Sequence, residues 1–443
     1  MFAFILNILY SIICISTLSL ASGNGIYDGS LTNIPIEHHR LENDRIYLDR
    51  VRGSGQAGYS MLIWLGTPPQ KLRVILDTGS SFCGIMAAPS PVVKHYFHMN
   101  RSSTLEETNL RIDSSYVKGY WSGQLVSDML HLGIGLYKQV RIQFAAITNQ
   151  KEFFTETTRF DGILGLAYPS LAVQGNFYQK PVFNEIVQQA GIRDIFTLTY
   201  CASKMRKDLF GNQYITGGGF MTLGGIDNNL LAGPVFYTPI VEKYYYQFQL
   251  TNVLVDGQSI GFSPYDYMHY PALVDSGTSI LRFPPFMYKR LMPIFLRSIQ
   301  DRSVFSHGFF YRGHAVCMEE SQLLQHRFPT IRLSIRLASF EKTNFKTPQQ
   351  FTLVLSPMQY FILSGKERHG KPCYHFGIAG TSGAFGIILG DVVMKGFSVT
   401  FDRVNSMLGF AVSKCAEQSY TVKPAIDGPQ SIYSKDRIYR INA

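Results

Sequence analysis

The chain has 443 residues, 46% of them hydrophobic and 16% charged, a length that exceeds one ordinary core and points to two lobes. Its net charge of +10 is diffuse, with no block of five or more Lys or Arg, which argues against nucleic-acid binding. A solvated basic surface remains, one that still favours anionic surfaces or acidic substrates.

Met1 to Leu20 carries no charged side chain, and small residues follow at Ala21 and Ser22. This is the pattern of a secretory signal peptide over residues 1–21, although it lacks a basic start. The other reading is an uncleaved membrane anchor. No later segment has the roughly 18 consecutive apolar residues of a spanning helix. Residues 22–52 are charged and poor in strand pattern. They read as a propeptide or N-terminal arm, with Arg50-Val51-Arg52 as a basic cleavage site or as part of an ordinary tail.

From Tyr59 onward the chain reads as all-β. Short runs of β-branched and aromatic residues alternate with Gly, Pro, Asn and Asp turns. Strands are predicted at 59–65, 72–76, 141–148, 244–255 and 397–401, and helices at 91–97, 182–190 and 285–298. Residues 416–443 form a polar, interrupted tail, so the mature chain is expected to be soluble without a stable membrane anchor. Asn100-Arg101-Ser102 is a glycosylation sequon in a polar stretch. Cys14 lies in the signal peptide. Cys83, Cys201, Cys317, Cys373 and Cys415 form no CxxC, so neither a metal site nor a cofactor is expected. In an oxidising compartment five thiols imply two bridges and one leftover.

An internal repeat organises the chain. Leu72-Arg-Val-Ile-Leu leads into Asp77-Thr78-Gly79-Ser80, and Pro271-Ala-Leu-Val leads into Asp275-Ser276-Gly277-Thr278. Each block has a later apolar-apolar-Gly partner, ending at Gly165 and Gly390. Two related β lobes follow, 53–235 and 236–415, each giving one Asp to a shared cleft.

Two carboxylates held close cannot both ionise, so they share a proton. Such a pair can activate a water as base and an amide carbonyl as acid. Gly79 and Gly277 allow the backbone to turn sharply and substrate to approach. Ser80 and Thr278 can donate to the outer carboxylate oxygens, and Thr78 and Ser276 are placed to cross-link the loops. One such motif alone is more simply a turn in which Asp bonds its own backbone; the matched pair points to catalysis.

From about residue 53 to Cys415 the chain resembles the pepsin family, within it the beta-secretase (memapsin) branch. The segments carrying this are Asp77-Thr-Gly-Ser-Ser, Ala87-Ala-Pro, Gly162-Ile-Leu-Gly-Leu-Ala-Tyr, Gly224-Gly-Ile-Asp, Asp275-Ser-Gly-Thr with Leu281-Arg282, and Gly409-Phe-Ala-Val-Ser. The resemblance implies a bilobed aspartic endopeptidase, expected as a monomer in the secretory or endolysosomal pathway, acting on polypeptides. The alternative is a catalytically inactive pepsin-like binding protein.

The resemblance also implies a hairpin flap over the cleft, with Tyr116, Val117, Lys118 and Trp121 on it and Gly119 at its tip. Many pepsins have Trp seven residues after the first Asp, where this chain has Gly84. On the opposite wall Ser279, Ile280 and Arg282 are implied to contact substrate. Alternation alone would put Thr278, Ile280 and Arg282 on one face and leaves Arg282 either in the cleft or in solvent. Disulfides Cys201–Cys415 and Cys317–Cys373 are implied, with Cys83 free. Phe82-Cys83, Ile280 and Lys118 depart from the branch's pattern and put fine specificity in question.

Overall fold

The computed structural model describes residues 32–38 and 59–432, apart from the short stretches 117–118, 133–138, 156–159, 175–176, 208–212, 339–347, 369, 382–385 and 420–422. The signal peptide and the flap residues Val117 and Lys118 lie outside the described residues.

The described chain is mostly strand. Its largest sheet has thirteen strands. One flank, from Tyr59–Leu65 to Glu106–Ser115, belongs to the first half of the chain. The other is built from Ile195–Lys207 and Gln213–Leu223 with Phe397–Asp402, Met407–Val412 and Phe236–Pro239 from the second half. The sheet therefore crosses the sequence position where the lobes were expected to part. Two five-stranded sheets and a three-stranded sheet complete the second half.

Aromatic packing reinforces the crossing. Phe196 stacks on Phe401 with ring centroids 4.5 Å apart, and Tyr246 meets Phe401 edge-on at 4.6 Å. Each fully buried ring stabilises by about 2–3 kcal/mol. The buried Arg403 guanidinium lies 5.1 Å from the Tyr168 ring and 5.4 Å from Phe183. Cys201 bonds Cys415 across a separation of 214 residues, and Cys317 bonds Cys373. Cys83 is free and buried.

Two helices run as the sequence predicts. Val182–Ala190 stops at Gly191, whose φ of 71° is a left-handed cap that glycine adopts without a Cβ penalty. Pro285–Ser298 starts with Pro at its first turn, where the missing N–H costs nothing.

Other expectations change. No helix forms over 91–97; bends there send Val93 and Phe97 into two different apolar clusters, and the Phe97 N–H donates to the Met86 carbonyl at 2.7 Å. A short 3-10 turn follows at Met99–Arg101, with Asn100 exposed. The 244–255 run splits into Gln247–Phe248 and Leu250–Val255. Within the arm, Thr32–His38 is a strand, paired with Gln213–Leu223 on one side and Tyr59–Leu65 on the other. The tail supplies helix Lys414–Ser419 and strand Ala425–Ser431, the latter an edge of a five-stranded sheet beside Gln349–Leu355. Among the described residues no helix is long and apolar enough to cross a membrane.

Candidate active site

The repeat in sequence is a repeat in register. Strand Gln70–Asp77 pairs in parallel with Gly162–Gly165, setting Asp77 opposite Gly165. Cys83–Met86 returns antiparallel on the other side of that short strand, Gly84 opposite Ile163. In the second half Ala272–Val274 pairs in parallel with Ile388–Leu389, and Leu281–Phe283 returns antiparallel, Arg282 opposite Ile388. Each Asp thus ends a buried strand and begins a turn whose backbone is anchored on both sides. Gly165 and Gly390 complete the threads, since a Cβ at either would press into the motif backbone.

The turns hold the two carboxyls in matching cradles. The Gly79 N–H donates to Asp77 Oδ1 at 2.9 Å, and the Gly277 N–H donates to Asp275 Oδ1 at 2.9 Å. The Ser80 hydroxyl donates to Asp77 Oδ2, and the Thr278 hydroxyl donates to Asp275 Oδ2 at 2.6 Å. The loops are locked reciprocally. The Thr78 N–H donates to Ser276 Oγ at 3.0 Å and the Ser276 N–H to Thr78 Oγ1 at 2.9 Å. Those hydroxyls then donate to the carbonyls of Val274 and Leu76. Each motif's glycine abuts the other motif's carboxylate: a Cβ on Gly79 would lie 2.5 Å from Asp275 Oδ1, and one on Gly277 would press on Asp77 Oδ1.

Electrostatics follow from this closeness. Burial, then the negative charge of Asp275, push the Asp77 carboxyl up to about 7, against the lowering effect of the bonds from Ser80 and Gly79.

The flap is a hairpin. Glu106–Ser115 and Tyr120–Leu132 pair with Ser115 opposite Tyr120, and the Tyr116 N–H donates to the Gly119 carbonyl at 3.0 Å. Gly119 has φ of 88°, and a Cβ there would stand 2.5 Å from the Phe153 backbone nitrogen, so no side chain fits. Tyr116 packs on Phe153 at 4.9 Å. Burial and then the nearby Asp77 charge raise its phenol.

Some of the implied site residues are buried. Trp121 is fully buried with Ile75, Ile112, Ile147 and Ile163, its indole over Gly84, where a Cβ would stand 3.2 Å from the ring. It supports the flap from behind rather than presenting a surface. Ile280 is 1% exposed and belongs to the main core, because the strand starts only at Leu281 and strict alternation does not reach back to Thr278. Ser279 is buried beside it. Arg282 is half-buried and close enough to Asp275 for that charge to oppose the lowering caused by its burial.

Two tyrosines near the pair escaped the sequence reading. Tyr200 is buried behind Ser276, stacked on Tyr59 at 3.7 Å, and its phenol is raised by burial and then by Asp391. Tyr245 is half-buried, and both aspartates contribute to raising its phenol after burial and Tyr244. Tyr244-Tyr-Tyr246 was visible only as an aromatic run in a strand pattern. Among the described residues no His, Cys, Asp and Glu cluster could hold a metal ion.

Residues 58–413 match the family model of eukaryotic aspartyl proteases. The chain belongs to that family. It is 32% identical to a beta-secretase of Strongylocentrotus purpuratus over 377 residues, covering 83% of this chain and 68% of that protein. It is 28% identical to pepsin-2B of Gadus morhua, covering 82% and 98%, and 26% identical to pepsin A-5 of Mus musculus, covering 87% and 88%. The fold is the bilobed pepsin-like one, and the family makes the chain a pepsin-like aspartic endopeptidase with polypeptide substrates.

Proposed function

We propose that Asp77 and Asp275 are the catalytic pair of an endopeptidase working at acid pH in the secretory or endolysosomal pathway. The observation that carries this is the doubled cradle: two carboxyls face each other with one N–H and one hydroxyl on each. Sharing one proton between such carboxyls is general to this protease class. The carboxyl holding that proton polarises the scissile carbonyl. The carboxylate takes a proton from the attacking water, and the tetrahedral diol collapses as a proton passes to the leaving amine. The fixed donors spare the site reorganisation while charge moves. Tyr116, on the hairpin, lies close enough to Asp77 for that charge to raise its phenol, and Arg282 forms part of the opposite wall.

In the same reading the lobes divide near residue 235, and the strand Thr32–His38 belongs to an arm preceding the protease unit. The intact donors around both carboxyls argue against the non-catalytic, binding-only reading. The experiment is digestion of an unfolded protein at about pH 4 with and without pepstatin, followed by a pH profile. Pepstatin-sensitive cleavage is expected, in a bell with its optimum below about pH 6. Absence of cleavage, or a rate still rising through pH 7, overturns the reading.

A further inference from the structure

Beyond Arg282 the second half carries a groove of about 510 Å³ that neither aspartate borders. Pro285, Tyr288, Lys289, Met292, Tyr311 and Thr381 are among its lining residues. It continues the wall that holds Arg282. Strand Leu281–Phe283 runs parallel to Ile378–Gly380, with Arg282 opposite Ala379 and Phe283 opposite Gly380. The Thr381 N–H then donates to the Phe283 carbonyl at 2.8 Å. The groove therefore opens where that strand ends.

Two helices form its sides. Pro285–Ser298 begins two residues after the strand and brings Tyr288, Lys289 and Met292 to one side, four residues covering one turn. His307–Tyr311 brings Tyr311, whose ring meets Tyr288 edge-on at 6.4 Å and stacks on His307 at 4.5 Å. Gly380 lets the Tyr288 ring lie against the strand, since a Cβ there would stand 3.2 Å from it. Pro293, also in the lining, supplies no N–H to the Lys289 carbonyl one turn back. The lining is apolar and aromatic with one exposed ammonium, Lys289, and no carboxylate. Rings and methionine suit a large apolar side chain, and the ammonium suits a neighbouring carboxylate.

We propose that this groove is a distal subsite for the polypeptide substrate, holding an aromatic or long aliphatic side chain beside an acidic one, on the far side of Arg282 from the aspartates. The inference rests on the reading of Asp77 and Asp275 as the catalytic pair. With Arg282 read as the contact for the residue two before the scissile bond, as the resemblance to beta-secretases implies, the groove lies further toward the substrate's N-terminus.

The test uses the full-length protein at about pH 5. One peptide ends three residues before the scissile bond; longer ones add Phe-Glu or Ala-Lys, scanned over the next four positions. The expected result is that one Phe-Glu register raises kcat/KM on the order of fivefold over the short peptide and over Ala-Lys. Lys289→Glu removes the preference for Glu and Tyr311→Ala the preference for Phe, while both variants cleave the short peptide at the wild-type rate. Equal rates for all long peptides, or preferences that survive both substitutions, overturn the proposal. A wild-type enzyme that cleaves none of the peptides defeats the catalytic reading instead. The groove is then judged by fluorescence anisotropy of the labelled Phe-Glu peptide, where equal affinity for wild type and Lys289→Glu overturns it.

Discussion

The two motif turns can be compared residue by residue, and they separate at one place. From Asp77 to Ser80 and from Asp275 to Thr278 the cradle is the same: matching donors, matching cross-links and matching parallel strands. The next matched strand position holds Gly84 in one half and Arg282 in the other, each opposite an isoleucine of the threaded strand. Gly84 leaves room for the Trp121 indole, which props the flap. Arg282 extends toward Asp275 and gives that wall a positive charge. The shared part does the same work twice; the divergent position supports the hairpin in one half and places a positive charge near the carboxyl in the other. Burial follows the same split: Asp77 is 5% exposed, while Asp275 is more open.

The symmetry of the turns is broken most severely at the carboxyls. Asp77→Asn and Asp275→Asn should each lower kcat/KM by about a thousandfold or more with the fold intact, because neither acid nor base can be spared. A purified, folded variant keeping a tenth of wild-type activity would sink the shared-proton mechanism. Next comes a transplant of the divergent position. Gly84→Arg puts a guanidinium where even a Cβ stands 3.0 Å from Ile147 Cδ1 and 3.2 Å from Trp121. Overpacking and an unpaired buried charge should together cost about 3–5 kcal/mol, read as a lowered urea midpoint. A variant as stable as wild type would show that the two positions are not sterically distinct.

Much of this comparison is legible in the sequence, because it is local. Asp-Thr-Gly-Ser and Asp-Ser-Gly-Thr specify their own turns, and Thr78 and Ser276 are short side chains that reach only the opposite loop. Helices 182–190 and 285–298 announce themselves through spacing, Pro and Gly. What failed depends on distant partners. In Thr32–His38 the alternation of Ile34 and Ile36 is interrupted by Pro35, and the strand exists because two neighbours pair with it. Ala425–Ser431 contains Gly428-Pro429 and shifts register against Gln349–Leu355, so nothing in its own pattern announces a strand. The burial of Trp121 and Ile280 escapes the sequence pattern for a related reason. Neither the Gly84 vacancy nor the late start of strand Leu281–Phe283 can be read from spacing around the motif.

The unequal burial of the two aspartates gives a smaller effect, on stability. The Asp77 carboxyl sits near 3.8 in the unfolded chain and about 7 when folded, so the native state binds the proton more tightly. Charging it costs nothing well below pH 3.8. The penalty grows as pH rises between those values and is complete above pH 7. Asp77→Asn removes the penalty, so the variant should gain at least about 1 kcal/mol over wild type at pH 8 and little at pH 3. Urea unfolding at both values checks this. An equal gain at both would mean that Asp77 titrates as an ordinary surface carboxyl.

The smallest effect tests the divergent position from the other side. Half-buried near Asp275, Arg282 can meet the substrate side chain two residues before the scissile bond without touching the proton transfer. A partly solvated guanidinium–carboxylate contact is worth about 1 kcal/mol, or roughly fivefold in kcat/KM. Peptides with Glu, Asp or Asn there should therefore outrun those with Lys or Arg at about pH 5, and Arg282→Ala should bring the rates together. The preference should shrink below about pH 4, where a substrate Asp or Glu takes up a proton and loses its charge. Because Ile280 is buried in the core, its replacement by Asn should alter stability more than this ratio. If Lys and Glu are cleaved equally by wild type, or if Arg282→Ala leaves their ratio unchanged, the guanidinium does not read substrate. The difference between the two walls would then lie in the flap support at Gly84 alone.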